Sequence, residues 1–150
     1  MAEHTFSSET VIERPRNEVF EFFSKAENLE RITPPNLGFK IITPLPIEMR
    51  EGALIDYRIS LHGFPMKWRT EITRWDPPFA FEDTQVSGPY KQWIHLHTFE
   101  ETVDGKTLMK DAVRYRLPFE PLGDVMGWLI DREVNGIFEF REKTIGEFFK

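Results

Sequence analysis

Hydrophobic and polar residues along this chain follow two periods, and the places where they change over predict its elements. Over residues 5–13 the pattern alternates, with Phe6, Ser8, Thr10 and Ile12 on one face, which predicts a strand. Pro15 ends it and suits the first turn of a helix, where a missing N–H costs nothing. Val19, Phe22, Phe23 and Ala26 then recur at three-to-four spacing, the mark of an amphipathic helix. Leu29 and Ile32 continue into a second short helical piece, which Pro34-Pro35 is expected to stop. From Phe39 to about Phe119 the period returns to two. Strands are predicted over 39–45, 53–61, 66–75, 79–87, 90–102 and 106–117, divided by His62-Gly63, Pro77-Pro78, Gly88-Pro89 and Asp104-Gly105. Asp-Gly between two alternating runs is a strong hairpin signal. In the last thirty residues Leu122, Val125, Met126, Leu129, Ile137, Phe138, Arg141, Ile145 and Phe148 lie at helical spacing, opened by Pro121. Gly127 and Gly136 fall inside this helix at about 1 kcal/mol each against Ala, which predicts a bend or a bulky neighbour.

The order is one strand, two short helices, about six meandering strands and one long helix. It predicts an α+β fold: a curved antiparallel sheet of about seven strands around a long C-terminal helix, in a single domain over residues 1–150. A sheet of that width curls through its own twist, and curling around one helix leaves a gap that a ligand can enter.

Composition sharpens this. Fourteen Phe, four Trp and three Tyr make 14% of the chain, more rings than a core of this size needs, and rings line cavities as well as fill them. A net charge of −6 with no Lys/Arg stripe argues against nucleic-acid binding. The absence of cysteine removes disulfides, thiolate nucleophiles and Cys-based metal sites. The N-terminus lacks a basic-then-apolar leader, and no run approaches the ~20 apolar residues of a membrane span, so a cytoplasmic location is expected. Nothing in the sequence fixes an oligomeric state.

Candidate chemistry lies on three strands. Phe79, Phe81, Asp83 and Gln85 share one face; so do Trp93, His95, His97 and Phe99, and so do Met109, Asp111, Val113, Tyr115 and Leu117. With these faces turned to the helix, a pocket would hold two carboxylates, a carboxamide, two imidazoles and a phenol, each needing a partner. The opposite facing turns Ile94 and Leu96 inward and leaves both histidines solvated. His95 and His97 lie roughly 7 Å apart along their strand, and with Asp83 or Asp111 they have the composition of a two-histidine, one-carboxylate metal site. Hydrogen bonding among His95, His97, Asp83, Asp111 and Gln85 is the commoner arrangement, so no metal and no other cofactor are expected. Asp83 and Asp111 read either as cross-strand partners or as groups that orient a histidine for proton transfer. Gly88-Pro89 reads as a plain turn. Trp75 and Trp128 read as packing, as does Trp68, which also lies where a strand can line the pocket. Arg69 and Arg141 suit surface salt bridges, or an anionic ligand. No Ser-His-Asp order, phosphate-binding glycine loop or dinucleotide fingerprint is present.

Three stretches carry a resemblance: residues 12–20, residues 81–99 with the pattern D-x-Q-x-x-G-P-Y-x-x-W-x-H-x-H-x-F, and residues 111–119 with 137–141. Over nearly its whole length the chain resembles the START-like, pollen-allergen-like helix-grip superfamily, also called SRPBCC. It is most similar to a bacterial subgroup described as ligand-binding or cyclase/dehydrase-like. The resemblance implies a deep hydrophobic cavity between the sheet and the C-terminal helix. Relatives include lipid and hormone carriers, aromatic polyketide cyclases and a quinone-binding branch. The function expected is binding of a small hydrophobic or aromatic molecule by Trp68, Phe81, Asp83, Gln85, Trp93, His95, His97, Asp111 and Tyr115. The alternative is a cyclase, dehydratase or isomerase in which His95, His97, Asp83 and Asp111 supply an acid–base pair.

Overall fold

The computed structural model describes residues 3–61, 63–117 and 127–149. The sequence expectations for Pro121, Leu122, Val125, Met126 and His62, and for the side chain of Trp128, lie outside the described residues. Strand β1 (His4–Ile12) leads into helix α1 (Arg16–Phe23) and a short 3-10 turn at Ala26–Leu29. Six strands follow: β2 (Lys40–Ile41), β3 (Leu54–Leu61), β4 (Phe64–Asp76), β5 (Ala80–Ser87), β6 (Gln92–Glu101) and β7 (Thr107–Arg116). Helix α2 (Gly127–Phe148) comes last. The strands form one seven-stranded antiparallel sheet in the order β1-β7-β6-β5-β4-β3-β2. This is the α+β arrangement that the periodicity predicts, and the helix-grip fold that the resemblance implies.

Where the elements depart from expectation, proline chemistry and local packing account for it. The strand expected over 39–45 shrinks to β2, because Pro44 and Pro46 have no N–H to give a ladder. The helical piece expected through Leu29 and Ile32 ends at Leu29, and the chain is extended at Pro34. Pro35 opens a second 3-10 turn, Pro35–Leu37, which closes on Gly38 at φ +57°. Phe79 precedes β5 and is exposed, with the Arg16 guanidinium 4.7 Å from its ring centre. Among the described residues, and apart from its chain neighbours and the backbone of its own helix, no atom lies within 4 Å of where a Cβ at Gly136 would stand, so no bulky neighbour explains this glycine. Gly88 is more than a plain turn residue, since a Cβ there would fall 2.6 Å from the Gln85 Oε1.

Burial follows the two periods. In β6 the inward residues are His95, His97 and Phe99, and in β7 they are Met109, Asp111, Val113 and Tyr115, so Ile94 and Leu96 take the outer face. In α2, Val134, Phe138, Arg141 and Ile145 form a buried stripe at helical spacing. Phe149 completes it, while Phe148 is half exposed against Phe22. Along β4 the register with β5 shifts between Arg69 and Thr70 and again between Ile72 and Arg74. Such bulges increase the bend of a sheet, and here they help it curl over α2.

Candidate functional site

Curling leaves a cavity of about 160 Å³ between the sheet and α2. Its apolar wall comes from Phe23 of α1, Ala26, Leu29, Ile32 and Leu37 around the 3-10 turns, Met49, and Ile55, Ile59 and Ile72 of the sheet. An aromatic group covers one flank. The Tyr57 and Trp68 rings stack at 5.6 Å, Trp68 meets Trp93 edge-on at 5.6 Å, and Tyr90 lies 4.9 Å from Trp93. Trp68 Nε1 donates to Thr70 Oγ1 at 3.1 Å, so its one polar atom is satisfied. Burial, and after it the nearby Asp83 carboxylate, push the Tyr57 phenol up, which keeps it protonated.

The remaining wall is polar. His95 Nε2 lies 2.7 Å from Asp111 Oδ1, and His97 Nε2 lies 2.6 Å from Asp83 Oδ2. These are diagonal contacts. In the ladder His95 stands opposite Asp83 and His97 opposite Asp111, yet each imidazole makes its short bond to the other carboxylate. Diagonal neighbours in a twisted sheet come within reach of long side chains. The direct partners stay close as well, with His97 Nδ1 at 3.4 Å from Asp111 and His95 Nδ1 at 3.9 Å from Asp83. The four groups therefore form a ring. The imidazoles stack within it at 3.7 Å, and Phe81 lies on the other face of His97 at 4.0 Å. Arg141 caps the ring from α2, its Nη2 3.3 Å from both Asp111 Oδ1 and His97 Nδ1.

Two stacked imidazoles do not both charge, and their surroundings decide which one does. For His95 burial dominates, the neighbouring His97 adds to it, and together they bring the ring down to about 4 despite its carboxylate neighbours. His97 is buried as deeply, but hydrogen bonds to Asp111 and Asp83 outweigh burial and raise it. Asp111 shows the converse. Burial pushes its carboxyl up, but Arg141 and the two imidazoles hold it well below the usual carboxylate range. Asp83 is likewise lowered, its bond to His97 and the charges around it outweighing burial. At neutral pH the ring holds two carboxylates and a neutral His95 that donates from Nε2 to Asp111.

Six of the nine residues expected to bind the ligand line the cavity: Trp68, Phe81, Asp83, Trp93, His95 and His97. Asp111 belongs to the ring but not to the wall. Gln85 is turned away to clasp the following turn, donating from Nε2 to the Tyr90 carbonyl at 2.6 Å and accepting from the Tyr90 N–H at 3.2 Å. Tyr115 is buried on the inner face, but its hydroxyl donates to Asp131 of α2. Arg69 makes the expected surface pair, a two-pronged bridge to Asp56 at 2.7 and 3.0 Å. Arg141 does not; only 8% of it is exposed. Gln85, Tyr115 and Arg141 thus all depart from the sequence expectation, and for Arg141 the signal is its position in the apolar stripe of α2. Among the described residues, Asp83, His95 and His97 form the set whose ligand atoms, within 4.8 Å of one another, have the spacing to hold a metal ion. An ion there would displace the Asp83–His97 bond and compete with the guanidinium for the same charge.

Solved structures of the same fold are numerous. An aromatase/cyclase, Zhui, from a Streptomyces species superposes with a TM-score of 0.74 at 13% identity, covering 96% of this chain and 92% of that one. Protein Ms6760 from Mycobacterium smegmatis gives 0.70 at 18%, covering 96% and 89%. The major latex-like protein 151 of Panax ginseng gives 0.69 at 16%, covering 100% and 99%. At these identities the likeness is one of fold. No curated protein matches the chain. No helix among the described residues is long and apolar enough to cross a membrane. A family model matches residues 12–140, which take in α1, strands β2 to β7 and the first part of α2, and by that match the chain belongs to the polyketide cyclase / dehydrase and lipid transport family.

Proposed function

We propose that the protein binds one small hydrophobic or aromatic molecule between the sheet and α2, with the His95–Asp111–His97–Asp83 ring orienting it. The observation that carries this reading is the cavity itself: about 160 Å³, aliphatic and aromatic over most of its wall, polar at one end. Cavities of roughly 150 Å³ with apolar linings accept a single benzene-sized ring. Binding asks the polar groups only to hydrogen-bond.

A second reading is supported by the two His–Asp pairs at the wall: a cyclase, dehydratase or isomerase that moves a proton. The state of the ring weighs against it. His97 already shares its proton with a carboxylate at 2.6 Å. His95, brought down to about 4, is a weak base at neutral pH, whereas acid–base catalysis works best with a group near the operating pH.

Native mass spectrometry of freshly purified protein tests the first reading. A co-purifying small molecule is the expected result, and protein that arrives empty and takes up no aromatic compound overturns it. The variants Asp83→Asn and His95→Asn separate the two readings. Under the binding reading they alter ligand retention; under the catalytic one they lower turnover by roughly 10²-fold or more while binding survives.

A further inference from the structure

Asp83 supplies the only carboxylate on the cavity wall among the described residues. Its side chain is 19% exposed, against 3% for Asp111 and 2% for His97. β5 is the middle strand of the seven, and Asp83 stands on its inner face beside His95 and His97, so this exposure opens into the cavity. The two carboxylate oxygens differ. Oδ2 accepts the Nε2–H of His97 at 2.6 Å. Oδ1 has no hydrogen-bond partner among the described residues, and unlike the Arg141 Nε it is not sealed inside the protein. His95 Nδ1 is alike. The ring donates from Nε2 to Asp111, and Nδ1, 3.9 Å from Asp83 Oδ2, is a second open acceptor.

An apolar guest covering these two atoms would strip water from a charged oxygen and a bare ring nitrogen without replacing it, which is costly. A guest that carries a donor replaces that water. An ammonium would be buried as a full charge close to the Arg141 guanidinium, whose Nη2 lies 3.3 Å from both Asp111 and His97. A hydroxyl brings no charge, and its oxygen keeps lone pairs for the Tyr57 and Thr70 hydroxyls and the guanidinium on the same wall. We infer that Asp83 orients the ligand by accepting at Oδ1 from an uncharged hydroxyl on its ring, with His95 Nδ1 as the adjoining acceptor, so that the cavity selects hydroxylated rings over their ethers and hydrocarbons. This rests on the reading that the cavity holds a small ring compound, and it names the group that ring must carry.

Four small probes test it: p-cresol, p-xylene, 4-methylanisole and benzylammonium. Dissociation constants come from protein-observed NMR titration, with the indole signals of Trp68 and Trp93 reporting cavity occupancy. p-Cresol is expected to bind roughly tenfold or more tightly than p-xylene, in which a methyl replaces the hydroxyl. It should also outbind 4-methylanisole, whose oxygen can only accept. In Asp83→Asn the side-chain oxygen must still meet the His97 donor, so the amide turns its NH2 to the cavity, and the advantage of p-cresol over 4-methylanisole should disappear. Binding of p-cresol no tighter than that of p-xylene or 4-methylanisole overturns the role of a ligand donor and leaves cavity binding standing. An advantage undiminished in Asp83→Asn overturns the role of Asp83; should that variant not fold, the comparison in the unaltered protein decides without it. Tightest binding by benzylammonium overturns the selection for an uncharged group. Binding of none of the four overturns the cavity reading, and this inference with it.

Discussion

Two histidine–aspartate constellations join α2 to the sheet, and they use similar residues to different ends. The outer one is a short chain. His4 Nδ1 lies 3.2 Å from Asp131, which also accepts from the Tyr115 hydroxyl, and the His4 and Tyr115 rings stack at 5.3 Å. The Asp131 side chain is 41% exposed, so water screens its charge and the contact acts mainly as a fastening. The inner constellation is closed, and its Asp111 and both imidazoles are buried. There neighbours replace water, and each group's protonation is set by the others. Residue identity does not separate a clasp from a proton-holding ring; burial and closure do.

Removing one carboxylate from each constellation should produce the largest contrast. Asp111→Ala leaves Arg141 and His95 without their shared partner, with an expected loss of about 3–5 kcal/mol. Asp131→Ala should cost about 1 kcal/mol. Denaturant midpoints measure both, and comparable losses would erase the distinction.

Acid should act through the inner ring next. His95 has a folded value of about 4 against an ordinary 6.5, so below 6.5 the unfolded chain takes up a proton that the folded chain refuses. Stability should fall between pH 6.5 and 4, by on the order of 3 kcal/mol if His95 acted alone. Denaturation curves across that range should show the fall, and His95→Asn should flatten it. The lowered Asp83 and Asp111 add a further loss below about pH 4, as unfolded carboxylates protonate first.

Above pH 6.5 the sign reverses. His97 is raised in the fold, so its contribution is complete below the unfolded value and disappears as pH rises through the folded one. A smaller decline towards alkaline pH is therefore expected, absent in His97→Gln. The smallest effect belongs to the outer clasp. Tyr115→Phe removes one hydrogen bond, for about 1 kcal/mol, and should leave ligand affinity unchanged, because Tyr115 does not line the cavity. A change in affinity would show that the clasp and the ring are coupled.

Much of this was legible in the sequence because periodicity reports facing. Trp93, His95, His97 and Phe99 fall on one face by simple alternation, and the same rule gathers Met109, Asp111, Val113 and Tyr115. Periodicity does not say which face is inward when Ile94 and Leu96 compete, and that choice came with the curl of the sheet over α2. Two further features depend on three-dimensional placement. The diagonal exchange of partners follows from twist, which a flat register does not contain. Tyr115 turns to Asp131, a partner that the strand pattern cannot supply because it lies on another element. Arg141 was legible in retrospect, a charged residue in an apolar stripe whose acid partner lies in a distant strand.

The size of the chamber has a consequence for how a guest arrives. Among the pieces that enclose it are two 3-10 turns, Ala26–Leu29 and Pro35–Leu37, of four and three residues. Segments this short have few internal hydrogen bonds to break. A molecule larger than one ring would find its accommodation there, by displacing this thin rim, while the seven-stranded wall and its imidazoles stayed in place. Tolerance of bulk and chemical discrimination would then reside in separate parts of the chain, free to vary independently.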